Sequence, residues 1–299
     1  MHITIINEQQ RIRSTNGVYY HRLFTPHNYL SNRGDIDAVT TDCFSTLPKE
    51  LKEKTDIAIF NGHLPFYTLP HLEVEEIRKY AKAIIMDIDD VWYNYQGHIL
   101  EESKKQKMSF RYPKTYAQHI EELISLVDVV TTPSKVIKGH IEKNFKTPVH
   151  LLPNAIDPSI PQYEVKERED DGIVWFGYLT NAMHYEDCKI LVEPIRRMNY
   201  EYGEKFGVVM TGYNHKGEHQ REMAKMMSLD GEVKNFKLID YVNFDQYAQL
   251  FNLWDVSLIP LKSTAFNKGK SILKVIESAV MRTPVIVSPV TPYLGEIYT

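Results

Sequence analysis

The sequence predicts an α/β fold made of two doubly wound units in tandem, each a parallel sheet covered by helices. Three observations predict it. Short Ile- and Val-rich runs recur along the 299 residues. Stretches with apolar residues three and four apart lie between them. The alternation breaks once, at DPSIPQYEVKEREDDG (157–172), and then resumes. Short strands of nearly continuous apolar character, alternating with amphipathic helices, are the pattern of parallel sheets buried on both faces.

The first unit opens with strands at 2–7 (HITIIN), 36–40, 56–60, 83–88, 128–132 and 149–152. Helices are expected at 72–82 (LEVEEIRKYAK), 119–127 (HIEELISLV) and 134–145 (SKVIKGHIEKNF), with Ser134 after Pro133 as N-cap. The break at 157–172 carries two prolines, a dense charge cluster and a closing glycine, and reads as a linker. Beyond it come strands at 172–177, 206–211, 236–239, 255–260 and 284–287. Helices are expected near 184–198, 217–228, 244–254 and 270–281. The boundaries drawn are 1–168 and 169–299. Ligands of such sheets bind beyond the carboxyl ends of the strands, so two units facing each other would enclose a cleft.

Composition narrows the function classes. Hydrophobic residues make up 43% and charged residues 25%, an ordinary globular balance. A formal charge of −4 supplies no strongly basic field for nucleic acid. Cys43 and Cys188 form no CxxC pair and read as reduced thiols of a cytosolic protein. HITIIN lacks a basic flank and runs into NEQQRIR, so no signal peptide is read. No run reaches the ~18–20 apolar residues of a membrane helix. A cytoplasmic protein is expected.

The segment richest in chemistry is FNKGKSILKVIESAVMRTPVIVSPV (266–290). A helix over 270–281 places Lys270, Lys274 and Glu277 on one face and Ile272, Val275, Ile276 and Ala279 on the buried side. Two lysines at i, i+4 repel each other, and a bound diphosphate would offset that. The helix start, with Gly269 and Ser271, adds free N–H groups and a positive dipole end. A solvated charged face is the competing reading.

This segment resembles the donor-binding region of GT-B glycosyltransferases, in particular those like glycosyltransferase family 4. The family's pattern is a strand ending in Pro or Pro-Ser, a loop, a helix ending in Glu-Ala-hydrophobic and then Gly-x-Pro-Val-Val, which SLIPL and KSILKVIESAVMRTPVIVS resemble. Further stretches are similar in the family's order: GVYYHRLFTPHNYL (17–30), VVTTPSKVIKGHI (129–141), LLPNAID (151–157), IVWFGYLT (173–180) and LIDYVNFDQYAQLFNLWDVSLIP (238–260). The resemblance implies a GT-B fold of two facing Rossmann-like domains. It implies transfer of a hexosyl or pentosyl group from a nucleotide diphosphate sugar, foremost a UDP-sugar, to an acceptor hydroxyl. Retention of configuration, no catalytic metal, no cofactor beyond the donor as co-substrate, and closure on donor binding belong to the same implication.

The resemblance also assigns residues. Glu277 would bind the donor ribose, and Lys270, Ser271 and Lys274 its diphosphate. Backbone near Tyr241 and Val242 would hold the base, and Gly17 would let backbone reach the phosphates. Two departures stand out. Gly269 occupies the place of the first glutamate of the family's E-x7-E motif, and His184 stands where an Arg and a Lys are usual.

IIMDIDDVWYNY (84–95) ends a strand with Asp87, Asp89 and Asp90. Carboxylates at a strand's carboxyl end mark a site. In the glycosyltransferase reading Asp89 and Asp90, with Lys274, are the catalytic candidates, and a carboxylate serves as base toward the acceptor. Asp87, His63 and Trp92 are acceptor-side candidates. Two other enzymes use such a motif. A GT-A-like site would hold a divalent cation on Asp-x-Asp. A haloacid dehalogenase-like phosphatase would use Asp87 as nucleophile and Asp89 as acid/base. A helix-capping role is a further alternative, and a non-catalytic sugar-nucleotide-binding protein is another.

The acceptor stays open between a surface glycan or lipid-linked sugar and a hydroxymethylated DNA base. Compact members with DIDD resemble phage-encoded enzymes. Lys104, Lys105, Lys107, Arg111 and Lys114 form a stretch that would meet a phosphate backbone or solvent.

Overall fold

The computed structural model describes residues 1–6, 17–32, 34–41, 44–62, 70–107 and 114–296. It divides into two units. One is Met1–Gln96 with Glu101–Asn154 and Gly269–Ser271; the other is Gly97–Leu100 with Ala155–Lys268 and Ile272–Thr299.

In the first unit every predicted strand forms: β1 (His2–Ile6), β2 (Asp37–Thr41), β3 (Ile57–Asn61), β4 (Ala83–Asp87), β5 (Val129–Thr132) and β6 (Val149–Leu151). All pairs are parallel, in the order β2-β1-β3-β4-β5-β6. The order reverses between β1 and β3. Ile3, Ile5 and Ile59 bury one face against Tyr19 and Leu23. Those two belong to a π-helical turn, Tyr19–Phe24, which runs into the helix Thr25–Ser31. The helix predicted at 119–127 begins earlier, at Tyr116, because Thr115 and Gln118 close a capping box. Ser134 caps Lys135–Asn144 as the sequence suggests.

The second unit contains β7 (Val174–Leu179), β8 (Phe206–Tyr213), β9 (Asn235–Asp240), β10 (Val256–Ile259) and β11 (Val285–Val287), all parallel. Their order is β11-β10-β7-β8-β9. This is the dinucleotide-fold order, and it reverses between β7 and β10. Alternation along β8 feeds two cores. Val208 and Met210 meet Cys188, Ile195, Met223 and Met227, while Val209 meets Trp175, Phe251 and Trp254 on the other side. Gly177 is required here, since a Cβ would lie 1.9 Å from the Trp254 ring.

Two expectations change. The stretch 244–254 is not an α-helix but the 3-10 run Tyr247–Leu253. Its apolar residues recur every third position, Tyr247 with Leu250 and Ala248 with Phe251, which suits three residues per turn. The stretch 157–172 is not a free linker. Tyr163 is buried in the second unit's core, and Gln249 Nε2 donates to Gln162 O at 2.7 Å. Arg168 grips both Asp255 oxygens at 2.8 Å, and Trp175 Nε1 donates to Asp171 at 3.0 Å. The chain passes to the second unit at Ala155. Cys43 lies outside the described residues. Cys188 is free and buried, its thiol pushed up to about 12 by burial and by Asp187. No helix among the described residues is long and apolar enough to cross a membrane.

Candidate active site

Because every strand of the second unit runs the same way, their carboxyl ends share one edge. β7 ends there at Leu179, beside the reversal with β10. The helix Leu273–Val280 follows β10 and brings Lys274 to that point, where Nζ donates to Leu179 O at 2.9 Å. One turn on, Glu277 and Ser278 are buried, and Ser278 Oγ donates to Lys274 O at 2.8 Å. Burial drives the Glu277 carboxyl well above the usual carboxylate range.

This helix corrects the sequence reading. It starts at Leu273, so Lys270 and Ser271 precede it. They belong with the first unit: Lys270 Nζ lies 2.7 Å from Asp90 Oδ1, and Asn154 Nδ2 donates to Ser271 Oγ at 2.7 Å. Gly269, a poor helix former, precedes both. The face is corrected too. Glu277 and Ser278 are the buried positions, Ile272, Val275 and Ile276 are half-buried, and Ala279 is exposed.

Beside β7 the sequence holds a pair it only half disclosed. His184 Nδ1 lies 2.8 Å from Asp187 Oδ2, with the His184 side chain 13% exposed. Lys262 N and Asn267 Nδ2 donate to the other Asp187 oxygen at 2.7 and 2.8 Å. Burial raises the Asp187 carboxyl, but the His184 contact and these donors outweigh it and leave it below its ordinary value. The signal was the spacing of His184 and Asp187, three apart at a helix start.

Past β9, Tyr241 N donates to Tyr213 O at 2.9 Å, and its side chain is exposed. Val242 packs on the core containing Trp175 and Val209.

In the first unit the three aspartates have three fates. Asp87, at the end of β4, is buried. It accepts from Arg22 Nε at 3.0 Å and Nη2 at 2.6 Å, from Asn61 Nδ2 at 3.0 Å and from Thr131 Oγ1 at 2.6 Å. Arg22 also donates to Leu152 O at 2.7 Å and Asn154 Oδ1 at 3.1 Å. Asp87 thus ties the ends of β3, β4 and β5 to the π-helical turn, with its oxygens committed, and Arg22 extends the network past β6. This geometry fits neither an attacking carboxylate nor an acceptor contact. Asp89 is half-buried, and burial, then Asp90 and Asp87, push its carboxyl up to about 7. Asp90 is paired with Lys270.

Trp92 is buried, packed edge-on against Tyr93 and His140. Gly17 is half-buried and helical, directly before the π-helical turn. His63 and Arg111 lie outside the described residues. The remaining basic stretch is largely paired. Lys105 binds Glu101 and Glu102 at 2.9 and 3.1 Å, Lys114 binds Glu122 at 2.6 Å, and Lys104 sits 3.4 Å from the Tyr116 ring centre. Among the described residues, no three His, Cys, Asp or Glu side chains converge as a metal-ligand set.

No family model matches the sequence, and no curated protein matches it either. Solved structures do match. The chain is similar to sucrose-phosphate synthase from Thermosynechococcus elongatus, with TM-score 0.60 and 12% identity over 98% of this chain and 82% of that one. It is similar to an alpha-glucosyltransferase in complex with UDP and a 13-mer DNA containing an HMU base, with TM-score 0.59 and 11% identity over 96% and 79%. It is also similar to a Listeria monocytogenes protein described as a UDP-N-acetylglucosamine 2-epimerase, with TM-score 0.52 and 10% identity over 96% and 78%.

The fold is GT-B.

At these identities the likeness is one of fold. The GT-B scaffold places Lys274, Glu277 and the His184–Asp187 pair around the β7 end of one unit, and Asp89 and Asp90 beyond β4 of the other. A fold shared by transferases and an epimerase does not choose the reaction, so the site residues must.

Proposed function

We propose that this chain is a glycosyltransferase that moves a sugar from a UDP-sugar to an acceptor hydroxyl. The observation that carries this reading is the Lys274 ammonium at the carboxyl end of β7, at the sheet's reversal, with Glu277 buried one turn along. A nucleoside diphosphate is the ligand that this pair suits. Lys274 would exchange its contact with Leu179 O for the diphosphate, while Glu277 and the backbone near Tyr241 and Val242 would hold the nucleoside.

In the reaction the bond between the anomeric carbon and the diphosphate oxygen breaks. A bond to the acceptor oxygen forms, and the acceptor's proton leaves. Lys274 stabilises the charge that gathers on the diphosphate. Asp89, held near 7, takes the acceptor proton, and a base of that pKa matches neutral pH. Lys270 and Asp90 set the electrostatics around it. The scheme needs no metal, and retention of configuration requires that the acceptor oxygen enter on the same face of the anomeric carbon that the diphosphate leaves.

A surface glycan or lipid-linked sugar is the acceptor the paired lysines favour, because a phosphate backbone would meet Glu101, Glu102 and Glu122 beside them. The similarity to the alpha-glucosyltransferase bound to DNA favours a hydroxymethylated base as the second reading.

The test is release of nucleoside diphosphate from a panel of UDP-, GDP- and ADP-sugars, with glycan and modified-DNA acceptors. Release from one donor, lowered about 10- to 100-fold in Lys274→Ala as expected for a lost charge-assisted hydrogen bond, supports the reading. Undiminished turnover in Lys274→Ala, or no release from any donor, overturns it.

A further inference from the structure

The first unit holds a cavity of about 450 Å³ that the donor chemistry does not use. Its lining includes Trp92, Tyr93 and Tyr95, the amides Asn94 and Gln96, and Lys104. The volume falls in the range of small-ligand pockets. Two walls flank it: the loop after β4, carrying the run from Trp92 to Gln96, and the helix starts at Glu101 and Tyr116.

The lining mixes rings and planar polar groups. Tyr93 stacks on His140 with ring centres 3.5 Å apart, which fixes its plane. Lys104 lies over Tyr116 and 5.9 Å from the Tyr95 ring centre. Trp92 is 2% exposed, and its Nε1–H has no acceptor among the described residues. An indole N–H only donates, and buried donors are normally satisfied. The loop wall of the cavity follows closely on the aspartates in the chain, Trp92 coming two residues after Asp90. Tyr95 feels both Asp89 and Asp90, and Lys104 feels Asp90.

Rings that pack on apolar sugar faces, beside amides that bond hydroxyls, recognise a neutral pyranose. Lys105 of the lining is paired with Glu101, so a phosphate backbone would find little net positive charge there. We infer that this cavity binds a neutral pyranoside, one or two rings long, as the acceptor sugar, with Asn94, Tyr95 and Gln96 as its specificity-determining contacts. The inference rests on the transfer reading above and names its acceptor class.

The experiment is saturation-transfer NMR and calorimetry on the full chain, with methyl α-glucopyranoside, maltose, diacetylchitobiose and a single-stranded oligonucleotide bearing hydroxymethyl bases. Thermal stabilisation by UDP is measured in parallel. A pyranoside should bind with millimolar Kd, and Asn94→Ala and Gln96→Ala should each weaken it about three- to tenfold, the effect of one lost hydrogen bond. UDP stabilisation should not change in either variant. Three results overturn the inference: UDP binds but no sugar does; a sugar binds both variants as it binds the wild type; or the oligonucleotide binds and the two variants weaken it. If wild type binds neither UDP nor any sugar, the transfer reading falls with it.

Discussion

Asp87→Asn should destabilise the first unit severely, and the size follows from its contacts. Asp87 and Arg22 are joined at 2.6 Å with side chains 3% and 5% exposed. Asparagine keeps the shape and removes the charge. The Arg22 guanidinium then stays buried without its counter-ion, although its bonds to Leu152 O and Asn154 Oδ1 persist. Breaking a buried pair in this way costs about 3–5 kcal/mol. At about 2–4 °C per kcal/mol for a domain of this size, the melting temperature should drop by about 6–20 °C. Differential scanning calorimetry reads this directly. The paired change Arg22→Met with Asp87→Leu should recover part of the loss, because no unpartnered charge remains although Asn61, Thr131, Leu152 O and Asn154 each lose a hydrogen bond. A loss below 1 kcal/mol in Asp87→Asn would refute the hub. So would a double variant whose loss is the sum of the two single losses.

Asp89 gives a prediction of opposite sign. Its folded pKa, about 7, lies above the unfolded value near 4, so the folded state binds the extra proton between them. Stability then falls as pH rises from about 4 to 7, by up to about 4 kcal/mol. Asp89→Asn should match the wild type below about pH 4 and exceed it at pH 8 in urea unfolding, while transfer is lost. An unchanged stability difference across that range would contradict the assigned pKa. Gly177→Ala should cost about 1–3 kcal/mol, since its Cβ would lie 1.9 Å from the Trp254 ring. A neutral effect on the second unit's melting would mean that β7 and Trp254 do not pack as described.

The fold was legible because it rests on local pattern. Ile- and Val-rich runs such as HITII and AIIMD are buried in parallel sheets, and every expected strand appears within a few residues. Ser134 was legible as a cap from its place after Pro133. Thr115 was equally readable, since Gln118 three residues on completes a capping box, yet apolar spacing alone starts that helix too late.

The site was less legible because its partners are distant in sequence. Asp87 looks reactive in DIDD until Arg22, sixty-five residues earlier, is placed on it. Lys270 and Lys274 share a helical face only if the helix runs through Gly269–Ser271, and it starts after them. Periodicity put Ile272, Val275, Ile276 and Ala279 on the buried side of that helix, and the structure buries Glu277 and Ser278 instead. Burial of Glu277 rather than Ala279 is a tertiary outcome. His184 and Asp187 were adjacent in pattern, but the donors Lys262 N and Asn267 Nδ2 that fix Asp187 come from the loop after β10 and the short helix Ala265–Lys268, 75 and 80 residues away.

The most direct test of the central claim is thermal stability against UDP, GDP, ADP and CMP, with and without Mg²⁺, in the wild type, Lys274→Ala and Glu277→Gln. A diphosphate at one hundred times its Kd should stabilise the fold by about 2.7 kcal/mol. The account predicts that UDP does so without metal and that both variants lose the effect while folding normally. Stabilisation that requires Mg²⁺ and survives in Lys274→Ala, or no response to any nucleotide, would contradict it.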